Sequence, residues 1–325
     1  MQITLVVPIR NEEETISALI DSILRQTRQP DEVLLVDGGS TDKTVERARS
    51  LIDGDSRFEV IEAGDATPGR GRNVGISAAS FDWIALTDAG IRLEPTWLER
   101  LVKAAESEPG VQVVYGNYEP VRESLFESLA ALAYVSPKQE RGRGLQRGPF
   151  IASSLIRREV WQLVGGFPDL RAAEDLIFME RIREHGYLTA WAADATVRWK
   201  LQPTLARTFR KFVLYSKHNV WAGRQWDWHY GILRQYLFML FFVALALVHS
   251  FWWLVVPVLF FLLRVVRRIN AHREGRSLLW LLNPLRVVGV GLVLLTIDVA
   301  TFVGWAQAAW QRPAQAAGAQ TVTKT

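Results

Sequence analysis

FDWIALTDAGIRLEP, residues Phe81 to Pro95, decides how this chain is read. Trp83, Ile84, Ala85 and Leu86 form an apolar run that stops at Thr87-Asp88-Ala89-Gly90. A short continuous apolar run closed by a turn is the pattern of a fully buried strand. The turn needs its glycine but has no need of Asp88. Working outward, Ile3 to Val7 reads as a first strand and Glu32 to Val36 as a second. Phe58 to Glu62 reads as a third, and Trp83 to Thr87 as the fourth. Glu13 to Arg25 reads as a helix with Ile16, Leu19, Ile20 and Ile23 on one face, and Arg72 to Ala79 starts another. Strands alternating with helices imply a parallel sheet covered on both faces. Ligands of such sheets lie beyond the strand carboxyl ends. Pro8-Ile9-Arg10-Asn11-Glu12, the loop Asp37 to Asp42 and Asp88 to Gly90 all fall at that edge. Singly each is weak: DGGSTD reads equally as a glycine turn with Ser40 or Thr41 capping the next helix. PGRGRNVG has the wrong glycine spacing for a dinucleotide fingerprint.

The 325 residues divide by charge. From Trp226 onward there are three acids, Asp227, Glu274 and Asp298, against eight Arg and one Lys, a net of +6. The whole-chain +4 therefore leaves the first 225 residues at −2. The basic balance belongs to the apolar tail and argues against nucleic acid as a partner. With no cysteine, disulfides, thiolate chemistry and Cys-ligated zinc are excluded. MQITLVVPIR has no charged region before its short apolar run, so the soluble part is expected to stay in the cytoplasm.

Tyr236 to Leu263 is apolar except for His249 and Ser250. A bilayer span takes about 20 apolar residues. Arg224 and Arg234 precede this stretch, while Arg264, Arg267, Arg268, Arg273 and Arg276 follow it. A hairpin over about 232–267, turning near His249-Ser250, keeps both clusters on one side, as the positive-inside tendency requires. A further span is expected over about 287–310 and carries Asp298, which needs a partner there. SLLWLLNPL, between the spans, is placed at the interface. The expected division is a soluble domain over 1–225, a membrane region over 226–311 and a disordered tail over 312–325.

PIRNEEETI, VDGGSTDKT, GRGRNVGI, LTDAG and GGFPDLRAAEDLIFMERI occur in the order seen in family 2 glycosyltransferases, and over residues 3–220 the chain resembles that family. Many bacterial members also carry C-terminal transmembrane helices. The resemblance implies a GT-A fold, a Rossmann-like α/β sheet flanked by helices, followed by a helical transmembrane region. It implies transfer of a sugar, commonly with inversion, from a nucleotide-diphosphate donor such as a UDP- or GDP-sugar. Pro8, Arg10, Glu12 and Asp37 match the positions that hold base and ribose. Arg72 and Asn73 match the family's Arg-Asn, where a guanidinium pairs with diphosphate oxygens. TDAG aligns with the family's Asp-X-Asp, whose carboxylates position ribose and a divalent cation, Mg²⁺ or Mn²⁺. Here Asp88 stands while Gly90 replaces the second carboxylate. His218 is a candidate to complete a metal shell, and reads equally as a histidine beside the membrane hinge. Arg72, Arg210, Lys211 and Lys217 are the alternative source of positive charge.

Glu174 and Asp175 fall in the first turn of an expected helix, where the macrodipole alone favours acids. The family match makes Asp175 the general base and Glu174 an orienting or acceptor-binding group. The Gln-x-x-Arg-Trp of processive synthases is absent, which points to one sugar per encounter. The Arg/Gly-rich stretch between Arg122 and Gly148 reads either as a loop closing over the site or as a connector. The implied setting is a multi-pass protein of the bacterial inner membrane, its catalytic domain cytoplasmic and its acceptor a polyprenyl-phosphate, lipid-linked or glycan substrate. Two other classes stay open: a degenerate glycosyltransferase serving as a membrane scaffold, and a sugar-phosphate nucleotidyltransferase, against which the acidic PIRNEEETI counts.

Overall fold

The computed structural model describes residues 1–141 and 144–311, so the tail expected at 312–325 lies outside the described residues. The chain falls into two units: Met1–Ala131 with Val135–Leu201, and Leu132–Tyr134 with the residues from Gln202 onward.

The first unit alternates strand and helix through β1 (Ile3–Ile9), α1 (Ile16–Leu24), β2 (Glu32–Asp37), α2 (Thr44–Leu51), β3 (Phe58–Glu62), α3 (Pro68–Ala78) and β4 (Trp83–Leu86). It continues with β5 (Ile91–Leu93), α4 (Trp97–Glu106), β6 (Val113–Val121), α5 (Leu125–Tyr134), β7 (Gln139–Arg141) and β8 (Gly144–Gln146). β9 (Ser154–Arg157), α6 (Arg158–Leu163), α7 (Glu174–Glu184) and β10 (Thr189–Lys200) complete it, α5 ending in residues of the second unit. Eight strands form one sheet in the order β3-β2-β1-β4-β9-β6-β10-β5. β1 to β4 run parallel, β9 runs antiparallel to both its neighbours, and β5 runs antiparallel to β10. β1, β2 and β4 are buried almost throughout, as strands covered on both faces must be. The apolar stripe of α1 is buried at Ile16, Leu19, Ile20 and Ile23.

α3 begins four residues before the expected Arg72. Thr67 caps it, accepting the Arg70 N–H at 3.2 Å, and Pro68 takes the first helical position, where its missing N–H costs nothing. The glycines of PGRGRNVG serve close packing. A Cβ at Gly75 would stand 2.4 Å from Val6 Cγ1, and one at Gly69 would stand 2.2 Å from the Pro168 carbonyl oxygen. Without side chains there, α3 lies tight against the sheet and the 164–173 loop, and Arg72 and Asn73 are delivered inward. The described residues of the Arg/Gly stretch are likewise folded. β7 and β8 pair antiparallel, Gln146 donates to the Tyr115 and Gly116 carbonyls, and Arg147 donates to the Tyr118 and Ser136 carbonyls and to Glu119.

The second unit holds α8 (Leu205–Trp221), α9 (Gln225–Val248), α10 (Val255–Asn270), α11 (Leu278–Leu281) and α12 (Pro284–Trp310). Helix α9 stops at His249-Ser250, before a 3-10 turn over Phe251–Leu254 that leads into α10. Among the described residues two helices, α9 and α12, are long and apolar enough to cross a membrane. At about 1.5 Å per residue, their 24 and 27 residues reach about 36 and 40 Å, against about 30 Å of hydrocarbon. Asp298, fully buried on α12, receives two hydrogen bonds from Arg264 of α10, at 2.5 and 2.8 Å, and one from Tyr236 of α9 at 2.9 Å. One carboxylate thus joins three helices, and the pair is bidentate, the strong geometry for Arg and carboxylate.

Candidate active site

The parallel register aligns the strand ends that carry the polar loops. Ile9 stands opposite Asp37 across β1 and β2, and Val6 stands opposite Leu86 across β1 and β4. Arg10 to Glu12, Asp37 to Asp42 and Thr87 to Gly90 therefore emerge from one edge of the sheet. Pro8 sits there against α3, where a Cβ on Gly71 would come within 3.3 Å of Pro8 Cβ.

At the centre is Arg72, only 3% exposed. Its guanidinium donates to Asp88 Oδ1 at 2.6 Å and to Glu174 Oε1 at 2.9 Å. It also lies 5.3 Å from the ring centroid of Phe167, which stacks on Phe178 of α7 at 3.9 Å. Three distant pieces of chain, residue 72 on α3, 88 after β4 and 174 at the head of α7, thus meet at one cation. Asp175 follows Glu174 and accepts its neighbour's N–H, from Leu176, at 2.8 Å. The residue before the pair, Ala173, has φ +72°, a left-handed conformation that costs an alanine about 1 kcal/mol or more. Strain of that kind persists where the surroundings over-determine it, here at the two carboxylates.

Burial pushes the Glu174 carboxyl up, to about 7, against the pull of Arg72 and with Asp175 adding to the rise. Burial also raises Asp175, again opposed by Arg72, and the Asp88 charge adds to it. For Arg72, burial works against the charged form, yet Asp88, Glu174 and Asp175 outweigh it and hold the guanidinium ionised. Glu12 is raised by burial, opposed by its hydrogen bond from Thr15 and reinforced by Asp88 and Asp42. Several carboxylates therefore share a single buried cation. At this site three of the buried polar atoms without a hydrogen-bond partner among the described residues come together: Arg72 Nε, Glu174 Oε2 and Thr87 Oγ1. Such atoms are costly in a finished core and are ordinary in a site awaiting a ligand.

The other expected residues are placed as follows. Asp37 is buried and closes its own loop, accepting the Gly39 N–H at 3.0 Å, the Ser40 N–H at 3.1 Å and the Ser40 hydroxyl at 2.6 Å. It shares the edge with Asp88 without a hydrogen bond between them. Arg10 pairs with Asp65 at 2.5 Å, and Glu12 accepts the Thr15 hydroxyl while its own N–H donates to Thr44 Oγ1 at 2.7 Å. Asp42, the residue expected at the cap of the following helix once the family alignment assigns Asp37 to the base and ribose, takes the N–H at the head of α2, from Thr44 at 3.0 Å. The Asn73 side chain is engaged in the scaffold: it donates to the Phe167 carbonyl at 2.8 Å and accepts the Phe167 N–H at 2.9 Å and the Trp161 indole N–H at 2.8 Å. His218 belongs to α8 of the second unit, buried and edge-on to Trp221. Asp169, which the sequence did not single out, accepts the Thr67 hydroxyl at 2.5 Å and ties the 164–173 loop to the cap of α3.

The residues do not fit an ordinary protein shell for a metal. Among the described residues no three His, Asp or Glu side chains come together as a cation site. Asp88 is committed to Arg72, and Gly90 brings no ligand; a Cβ there would meet nothing within 4 Å.

Residues 4–160 match the family model described as glycosyl transferase family 2. The chain is 31% identical over 193 residues to EpsJ, an uncharacterized glycosyltransferase of Bacillus subtilis, covering 54% of each protein. To RfbN, an O-antigen chain rhamnosyltransferase of Salmonella typhimurium, it is 28% identical over 225 residues, covering 65% of this chain and 70% of that protein. It thus spans about half the length of EpsJ. The mannosyltransferase PcManGT of Pyrobaculum calidifontis, solved with GDP-Man and Mn²⁺, superposes with a TM-score of 0.58 at 19% identity, covering 96% of this chain and 88% of that one. At that identity the likeness shows the fold, which is GT-A.

Proposed function

We propose, from the match of residues 4–160 to the glycosyl transferase family 2 model, that the chain is an inverting, non-processive, membrane-anchored glycosyltransferase. Its donor is a UDP- or GDP-sugar and its acceptor a lipid-linked or glycan hydroxyl. The observation that carries this reading is the Arg72 cluster, which sets Asp88, Glu174 and Asp175 around one cation at the carboxyl edge of the sheet.

In the proposed reaction the acceptor oxygen attacks the anomeric carbon from the face opposite the nucleotide. The acceptor proton passes to the Asp175 carboxylate as the new C–O bond forms. The bond from the anomeric carbon to the diphosphate breaks, its electron pair leaving with the nucleoside diphosphate, and the configuration inverts. A carboxylate raised by burial is a stronger base than a solvated one, which suits the role. Glu174 fixes Arg72, and Arg72 fixes Asp88 against the donor. For Mg²⁺ or Mn²⁺ this edge of the sheet offers the carboxylate of Asp88, which Arg72 already engages. The GDP-Man held by PcManGT supports a nucleotide-diphosphate donor. The membrane setting is supported by α9 and α12, with the catalytic unit on the cytoplasmic side.

The test is transfer by the full chain from UDP- and GDP-sugars to a polyprenyl-phosphate or glycan acceptor. Asp175→Asn is expected to lower kcat by about 10²–10⁴-fold with donor affinity kept. Full activity in that variant would remove Asp175 as the base. Donor binding without turnover in the unaltered protein would favour a scaffold instead.

A further inference from the structure

From the second half of α10 into the first turn of α12 the chain carries a concentration of positive charge. Six arginines run from Arg264 to Arg286 against one acid within the stretch, Glu274, and of the six Arg264 is paired with Asp298 of α12. Within that stretch Trp280 of α11 is flanked by two guanidiniums, Arg276 with its Cζ 4.7 Å from the ring centroid and Arg286 at 4.2 Å. Both are anchored. Arg286 donates to the Trp280 carbonyl, and Arg276 donates to the His272 carbonyl at 3.4 Å. Arg273 donates to the Arg276 carbonyl and adds a third cation to the same turn. The backbone beneath is capped at Ser277, which accepts the Trp280 N–H at 3.2 Å, and at Asn283, which accepts the Arg286 N–H at 3.2 Å. Glu274 comes only to 3.5 Å of Arg276. Like charges held about one indole repel, and an anion bound between them removes the repulsion.

Beside these cations stands an apolar face. Leu278, Leu279, Leu282, Leu285 and Val288 are all exposed, Leu279 at 87%, while Leu281 turns inward. Exposed apolar side chains close in sequence to arginines match the boundary of an anionic bilayer, where acyl chains meet phosphate.

We propose that residues 273–288 form a docking surface for anionic phospholipid, with the phosphate headgroup paired to the guanidiniums of Arg276 and Arg286 and the leucines in the acyl layer. The inference rests on the reading of α9 and α12 as membrane spans, and says which lipid the membrane must supply.

The experiment measures binding of fluorescent phosphatidylglycerol and phosphatidylcholine to the detergent-solubilised full chain. The chain is expected to prefer phosphatidylglycerol by tenfold or more, each arginine contributing roughly fivefold. Arg276→Gln with Arg286→Gln should abolish the preference, while Arg276→Lys with Arg286→Lys should keep most of it. Equal behaviour of the two pairs, whether both lose or both keep the preference, overturns the proposal. So does displacement of the lipid by glycerol phosphate at the same concentration, which would make the ligand a free phosphate. Alkaline carbonate extraction of membranes separates the two readings. Release of the chain refutes the spans themselves; a retained chain with no preference for phosphatidylglycerol refutes the lipid site alone.

Discussion

Replacing Glu174 by Gln isolates the electrostatic design of the site. The amide keeps an oxygen to accept from Arg72 and removes the titrating carboxyl. Glu174 is raised to about 7 from an ordinary 4.5, so the folded protein holds a proton that the unfolded chain releases. The stability this contributes is fully present below pH 4.5 and is lost as pH rises through about 7. The gap corresponds to about 3 kcal/mol at most. For a unit of this size, that is about 6–12 °C in Tm. Asp175 and Glu12 are raised as well and act with the same sign. Glu32, Asp42, Asp55 and Glu119 are lowered, so their contributions are lost only at pH values below the window. Thermal melts of the full chain in detergent from pH 5 to 8.5 should therefore show the unaltered protein losing stability as pH rises. Glu174→Gln should lose much less and be relatively more stable above pH 7. Parallel curves for the two proteins would refute the assignment of the slope to Glu174.

Gly90→Asp should be accepted, since its Cβ meets nothing within 4 Å, and it should tighten Mn²⁺ binding in the presence of UDP or GDP by tenfold or more in calorimetry. No change would mean that Gly90 does not face the diphosphate. Gly75→Ala should lower stability by about 1–3 kcal/mol in the same melts, because its methyl would overlap Val6 and Val36; a neutral result would refute the close packing of α3. Asp298→Ala should cost about 3–5 kcal/mol by stranding Arg264, while Arg264→Met with Asp298→Leu should recover most of the loss. Additive losses would show that the two residues do not act as a pair.

Three of the first four strands were legible because ITLVVPI, EVLLV and WIAL are short, mostly apolar runs bounded by turns, while FEVIE interleaves two glutamates with its apolar residues and lies at the sheet edge. The order of the motifs supplied the fold class. Helix α3 was read late because the glycines of PGRGRNVG argue against a helix locally, although Thr67-Pro68 is a start signal. β10 escaped notice because TAWAADATVRWK mixes polarities and its register shifts between Trp191 and Thr196. The partner of Arg72 had no local signal at all, since Glu174 lies 102 residues away. Nor did Asn73 announce that its amide would hold the Phe167 backbone from 94 residues' distance. Asp298 was different: a carboxylate in an apolar run demands a counterpart, and two neighbouring helices supply Arg264 and Tyr236.

β5 pairs with β10, Leu93 standing opposite Val197, and Arg72 waits for a carboxylate at residue 174. A nascent chain adding about 5–20 residues per second must emerge for several seconds more before either early segment is satisfied. Until then an edge strand lacks its neighbour and a buried guanidinium has Asp88 but not its second carboxylate. A fragment cut at residue 160, where the family match ends, would retain both defects permanently. Any attempt to dissect this protein should therefore leave the chain intact at least through Lys200.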